Sequence, residues 1–383
     1  MTGEHPSSTH PLLPPTTEDA RFDWLRLLRS RRVGVTTFYR LLSEHGTARA
    51  ALAALPDLAR SAGVTDYTIC PEGVIAAELR AARAAQAQMI CRGTPDYPAS
   101  LAEMPDAPPI LWALGDKGLM HRPVIALVGA RNASSLGARM ARKLAGDLCD
   151  AGFVVVSGLA RGIDAAAHSA ALNGGTIAVQ AGGVDVIYPV ENTKLAHDVA
   201  RSGLRLSEQP MGLQPQARHF PMRNRIIAGL ARGVVVIEAA AKSGSLITAE
   251  MALGLGREVM AVPGHPFDGR ASGCNHLIRD GAALVRGAED VIALIGAAQV
   301  ADQRPQTIPE PTATPAPPPQ RSLRDTSAIH MQILDRLGPS PVAEDQLLRD
   351  LKTSARDLSA VLIDLELDGR IKRSAGGMLA LAN

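Results

Sequence analysis

Between residues 123 and 297, short β-branched runs alternate with alanine-rich stretches of helical length, and this alternation is the strongest constraint in the 383-residue chain. The runs fall at residues 124–128, 153–157, 176–180, 204–207, 234–238, 259–262 and 283–285. Runs so short and so uniformly apolar read as strands buried on both faces, and connections long enough for a helix make successive strands parallel. The expected fold is α/β, a doubly wound, mainly parallel Rossmann-like sheet. Ligands of such sheets lie beyond the carboxyl ends of the strands, so the loops there carry the chemistry.

The second run passes from Val154-Val155-Val156-Ser157 into Gly158-Leu159-Ala160-Arg161-Gly162-Ile163-Asp164. A loop that opens a helix exposes free backbone N–H groups that favour an anion, and Arg161 adds a planar fork of donors suited to phosphate. Alone, the loop fits a tight turn with a surface arginine equally well. Asp164 reads as a helix cap, with His168 one turn later. Ser157, Asp164 and His168 do not read as a hydrolytic triad, because no Gly-x-Ser-x-Gly elbow accompanies them.

The other loops repeat the chemistry. The first carries Gly129, Arg131 and Ser134, and contains neither the dinucleotide Gly-x-Gly-x-x-Gly nor the Gly-Lys-Ser/Thr of a P-loop. The third carries Tyr188-Pro189-Val190-Glu191-Asn192-Thr193-Lys194, where a lysine at a helix start is relieved by a bound anion or by solvation. Phe220-Pro221-Met222-Arg223-Asn224-Arg225 places two arginines just before an apolar helix. After Glu238, Lys242-Ser243-Gly244-Ser245-Leu246-Ile247-Thr248 opens a helix with hydroxyls that fit either caps or contacts. Together Arg131, Arg161, Lys194, Arg223, Arg225 and Lys242 are expected along one sheet edge. That concentration suits a ligand with several phosphates, and a narrow edge cleft suits an extended single strand better than a duplex. Aromatics are only 3% of residues, yet Tyr188, His219, Phe220 and Phe267 fall in or near these loops, where each also fits plain packing.

The rest of the chain sets the frame. A net charge of +2 gives no global field, so any polyanion site is a local patch. Cys70, Cys91, Cys149 and Cys274 lie far apart without a Cys-x-x-Cys pair, which reads as buried thiols in a reducing compartment and no thiolate zinc site. Residues 1–18 read as a disordered N-terminus without the apolar core of a signal peptide. The longest uncharged apolar run, 291–301, is shorter than the roughly 20 residues a membrane span needs, so the default is cytoplasmic with no membrane partner. Residues 19–88 read as short helices; Arg26, Arg29, Arg31 and Arg32 around Val33-Gly34-Val35 fit a helix-hairpin-helix DNA contact less well than a solvated basic helix end. Residues 89–122 read as an extended connector packed on the core, and 298–326 as a proline-rich linker. In 327–383, helices at 327–337, 342–351 and 355–368 and a basic hairpin make a winged helix, suited to duplex DNA or to protein docking.

The combination of Ser157-Gly158-Leu159-Ala160-Arg161-Gly162-Ile163-Asp164 and His168, Tyr188-Pro189 and Asn192, Phe220 to Ile227, Ser243 to Ala249, and Val262-Pro263-Gly264 is similar to the bacterial DNA-processing protein family, DprA, also called Smf. The match spans the whole sheet domain, and the helical front and tail resemble the family's SAM-like and winged-helix accessory domains. Ala130 and Leu136 depart from the hydroxyl and aromatic residues usual in the first loop. The resemblance implies a non-enzymatic protein without cofactor or metal. It would bind and shield single-stranded DNA during natural transformation, load the RecA recombinase, and self-associate as a homodimer through the sheet domain. Carried onto this chain, it implies DNA contacts at Arg131, Ser134, Gly158, Arg161, Gly162, Asn192, Lys194, Phe220, Arg223, Asn224, Arg225, Lys242, Ser243, Gly244 and Ser245. Asp164, His168, Glu238 and Thr248 would support the loops. Two other readings compete. One is a nucleotide-binding enzyme of the phosphoribohydrolase-like class, whose Pro-Gly-Gly-x-Gly-Thr loop is absent; the other is an interaction scaffold working through the tail.

Overall fold

A computed structural model describes residues 13–298 and short stretches within 333–381. The chain divides into two compact units, Met1–Asp302 and Gln303–Asn383. The first opens with helices α1 (Glu18–Arg29), α2 (Val35–His45), α3 (Ala48–Ser61) and α4 (Glu72–Ala84). Thr17 and Thr47 cap α1 and α3 by accepting a backbone N–H three residues on. Then come β1 (Gln88–Cys91), the short α5 (Ala99–Ala102) and β2 (Ile110–Gly115). The alternating part follows as β3 (Val124–Val128), α6 (Ser135–Asp150), β4 (Val154–Ser157), α7 (Ile163–Ala171), β5 (Thr176–Val179), α8 (Thr193–Ser202) and β6 (Leu204–Ser207). It continues as α9 (His219–Leu230), β7 (Gly233–Val236), α10 (Gly244–Gly254), β8 (Glu258–Ala261), α11 (Ser272–Arg279), β9 (Ala283–Leu284) and α12 (Ala288–Ile295).

The strands form one sheet in the order β1-β2-β6-β5-β4-β3-β7-β8-β9. Every pair from β6 to β9 is parallel, while β1 and β2 are antiparallel additions. From β3 the chain winds one way to β4, β5 and β6, then returns to lay β7, β8 and β9 on the other side. The crevice beyond β3 and β7 is therefore the switch point where such sheets bind ligands. Alternate strand residues face two cores. Val154 and Val156 pack with α9 and α10, and Val155 packs with α6 and α7.

The 89–122 segment does more than connect, because it adds two strands to the sheet. In β2, Leu111 and Ala113 enter the sheet's core, whereas Ile110 and Trp112 enter a core shared with α1 to α4. Arg26 and Arg29 are not a solvated helix end. Arg26 bonds Cys70 and Glu72, and Arg29 forms a fork with the buried Glu78, which also accepts the Trp112 indole N–H at 3.0 Å. The four cysteines are free; Cys149 is only partly buried.

In the second unit, β10 (Val342–Ala343), β11 (Ile371–Ser374) and β12 (Met378–Leu381) form an antiparallel sheet in the order β10-β12-β11. The basic hairpin is thus present, but Val342 and Ala343, expected in a helix, pair as strand with Met378 and Leu379. Ile333, Leu362 and Leu365 are helical and buried. Of the N-terminus expected to be disordered over 1–18, residues 1–12 lie outside the described residues and Thr17 and Glu18 instead cap and open α1; residues 299–326 of the expected linker and most of the three tail helices also lie outside them.

Candidate nucleic-acid interface

Two adjoining cavities open at the carboxyl edge, with volumes of about 260 and 600 Å³. Arg131, Ala160, Phe220 and Arg223 line both. The smaller adds Gly158, Arg161, Tyr188 and Glu191. The larger sits on the switch point, between Gly129–Asn132 after β3 and Lys242–Ser245 at the start of α10.

Arg223 is the centre of this arrangement. Its side chain lies buried along Gly158, where a Cβ would come within 1.4 Å of Nη1, so only glycine leaves room for the guanidinium. Its Nε is buried without a hydrogen-bond partner among the described residues. Burial pulls its pKa down to about 10, opposed by the Asp164 carboxylate, with Arg131 adding a further lowering. The group still carries its charge at neutral pH. Burial raises the pKa of Asp164, and Arg223 together with the N–H groups of Ala160 and Gly158 opposes that rise. Both amides donate to Asp164 Oδ2, at 3.3 and 3.1 Å, and this holds the glycine loop in shape.

His168 completes the support. Thr176 Oγ1 donates to Val155 O, so it accepts from His168 Nδ1 at 2.7 Å; Nε2 then accepts from the Leu159 N–H at 3.3 Å. This network fixes a neutral imidazole, and burial depresses its pKa to about 3. Ser157 donates to Leu127 O, so no Ser-His-Asp relay exists. Leu159 itself is a buried residue at φ 56°, and Gly162, at φ 77°, would drive a Cβ into Ala130 O at 2.2 Å. The chain reversal at this loop is set by backbone geometry that Gly162 alone accepts without strain.

The exposed cations surround this buried one. Arg131 stacks on the Phe220 ring at 5.0 Å, and Phe220 meets Tyr188 at 5.7 Å. Arg161 is exposed and only loosely paired with Glu191 at 3.6 Å. Lys242 and Arg270 line the far wall; Arg270, which the sequence pattern does not point to, comes from the loop after β8 and is paired with Asp268 at 3.2 Å.

Several expected contact residues have other work. Arg225 points away from both cavities, to Glu208 and Asp106 O. The reason is that residues 223 to 225 lie inside α9 rather than before it, and two helical steps of 100° separate the two arginines by most of a half-turn. Lys194, exposed at the start of α8, lines neither cavity. Asn192 donates to Leu159 O at 2.9 Å and braces the glycine loop. Ser134 caps α6 through the Gly137 N–H, and its own N–H and hydroxyl both donate to Glu238. Ser243 caps α10 and bonds the Ser245 hydroxyl at 2.7 Å, while Asn224 reaches Gly244 O at 3.4 Å and Thr248 lies buried in the wall. Asn224, Ser243, Gly244, Ser245 and Thr248 nonetheless all line the larger cavity.

Fold and site together define an α/β domain whose carboxyl edge carries a cleft lined by arginines and a lysine, preceded in the chain by a helical region and followed by a separate unit. Residues 88–296 match the family model DNA recombination-mediator protein A, 18–81 the DprA-like N-terminal HHH domain, and 315–377 the DprA winged helix domain. The chain is 39% identical over 315 residues to Protein Smf of Synechocystis, covering 76% of this chain and 79% of that one. It is 51% identical over 199 residues to DNA processing protein DprA of Streptococcus pneumoniae, covering 51% and 70%. The crystal structure of the pneumococcal protein superposes with a TM-score of 0.61 at 38% identity, covering 71% of this chain and 98% of that one. A Helicobacter pylori DNA processing protein A structure, which describes a single-stranded DNA binding mode of that protein, gives 0.51 at 29% identity, covering 55% and 95%. The chain belongs to the DprA/Smf family of DNA recombination mediators. Among the described residues no helix is long and apolar enough to cross a membrane.

Proposed function

We propose that the cleft beyond β3, β4 and β7 binds single-stranded DNA, and that the protein shields the strand and hands it to a RecA-type recombinase without catalysing a reaction itself. The observation that carries this reading is Arg223, a largely buried cation that lines both cavities. Around it, Arg131, Arg161, Lys242 and Arg270 can neutralise successive phosphates, and Phe220 and Tyr188 offer ring faces to bases. The single-stranded DNA mode described for the Helicobacter pylori relative supports the choice of ligand. Recombinase loading and self-association through the sheet domain are part of the same proposal, supported by the likeness to the family. The enzymatic alternative has less support, because the Glu238 carboxylate after β7 accepts from both donors of Ser134 and so serves the loop's structure.

A fluorescence titration with a single-stranded oligonucleotide at several salt concentrations tests the site. Arg161→Ala with Lys242→Ala should weaken binding and make the log K against log salt slope shallower by about 1.4, at ~0.7 per phosphate contact. Equal affinity and slope for variant and wild type would remove the cleft from consideration.

A further inference from the structure

A third cavity, of about 460 Å³, lies on the other side of the α6 N-terminus and is lined by Leu136, Met140, Val262, Pro263, His265 and Ala271 among others. Three segments that line the cleft also line this cavity. The β3–α6 segment supplies Gly129–Asn132 to the cleft and Ser134–Gly137 to this cavity. The segment after β7 supplies Ala240 to one and Glu238 to the other, and the loop after β8 supplies Arg270 to one and Asp268 to the other. Its walls are more apolar than the cleft's, and Leu136 stands 67% exposed at its mouth.

The loop after β8 carries a second oddity. Phe267 is 94% exposed, yet the loop that presents it is tied down. Gly264 exchanges hydrogen bonds with the Asn275 amide at 3.1 and 3.0 Å, Asp268 forks onto Arg270, and the Phe267 N–H donates to His265 Nδ1 at 3.3 Å. The His265 and Phe267 rings lie 5.5 Å apart at a 42° tilt. A large apolar ring held out in water by an ordered loop gains nothing for folding. It gains where a flat apolar ligand stacks on it. Arg139, exposed, and Arg270, exposed but paired with Asp268, stand at the two cavities, where a strand's backbone could exchange that pairing for a phosphate.

Resting on the cleft reading above, we propose that this cavity and the His265–Phe267 platform form a second base-binding subsite, which receives nucleobases of the same single strand after it passes Arg270. The occupant is a base, because the cavity is more apolar than the cleft and the platform aromatic, while the Glu238 and Asp268 carboxylates in its lining disfavour a phosphate there. The strand would thus be held at both ends by rings, Phe220 with Tyr188 at one and His265 with Phe267 at the other.

The test uses the full chain, Phe267→Ala and Phe267→Trp, with oligonucleotides of about 4 and about 16 nucleotides, the extremes of common single-strand site sizes. 2-Aminopurine placed along the longer strand reports stacking. Phe267→Ala should weaken the longer strand about tenfold, leave the shorter one unchanged, and abolish quenching at one end of the strand; Phe267→Trp should restore both. If Phe267→Ala matches wild type on both lengths and leaves quenching intact, the subsite is wrong, while loss of binding in the Arg161→Ala, Lys242→Ala variant would keep the cleft. If wild type binds neither length, the cleft reading falls and the subsite with it.

Discussion

At the residue scale, Gly158 and Arg223 form a single device. A methyl at position 158 would occupy the space of the guanidinium. Gly158→Ala should therefore displace Arg223 from its slot, at an overpacking cost of about 1–3 kcal/mol, and abolish strand binding. Denaturant melts and a titration on the same sample check both. His168 gives a pH signature. Its folded pKa is depressed from 6.5 to about 3, so the unfolded chain takes up a proton where the folded one does not. This contribution to stability is complete above pH 6.5 and is lost at about 1.4 kcal/mol per pH unit as pH falls toward 3. Urea midpoints at pH 7 and pH 5 should separate by less in His168→Gln than in wild type; parallel shifts would contradict the buried neutral imidazole. The glycines and Asp164 were legible in the sequence as loop and cap. Which side chain the glycine makes room for was not, because Arg223 arrives from 65 residues further on.

At the element scale, α9 decides which cations face the ligand. Reading its start after Arg225 placed both arginines in a loop; with the helix starting at His219, Arg223 faces the cleft and Arg225 the Glu208 pocket. Pro221 had pointed there, since proline is tolerated in a first helical turn. Arg131→Ala should lower affinity with little change in melting temperature. Arg225→Met should do the reverse, costing about 3–5 kcal/mol by stranding buried Glu208 while leaving affinity per folded molecule within about twofold. The parallel strands were legible because they are apolar throughout and spaced by helices. β1 and β2 were not, because they pair antiparallel over a long excursion and prolines at 108 and 109 disguised the start of β2.

At the scale of the whole molecule, the helical front and the sheet share one core. Trp112 and Ile110 from β2 and Val184 from the loop after β5 pack with Trp24, Phe38, Leu41 and Ile75. Glu78, buried beneath them, holds Arg29 and Trp112. Glu78→Ala should strand both donors and lower the melting of helices and sheet together, read as one shifted transition by calorimetry with simultaneous loss of protection in both regions by hydrogen exchange. Two separate transitions would mean that the helical front is only tethered. The cleft itself depends on this frame, since the switch point between β3 and β7 fixes where the loops converge. A structure of the protein with a short single-stranded oligonucleotide tests this most directly. Phosphates should lie over the Gly158–Asp164 loop within hydrogen-bonding reach of Arg223, with a base against Phe220; a strand seated on the helical front or on the β10–β12 sheet, with the Arg223 cleft bare, would contradict it.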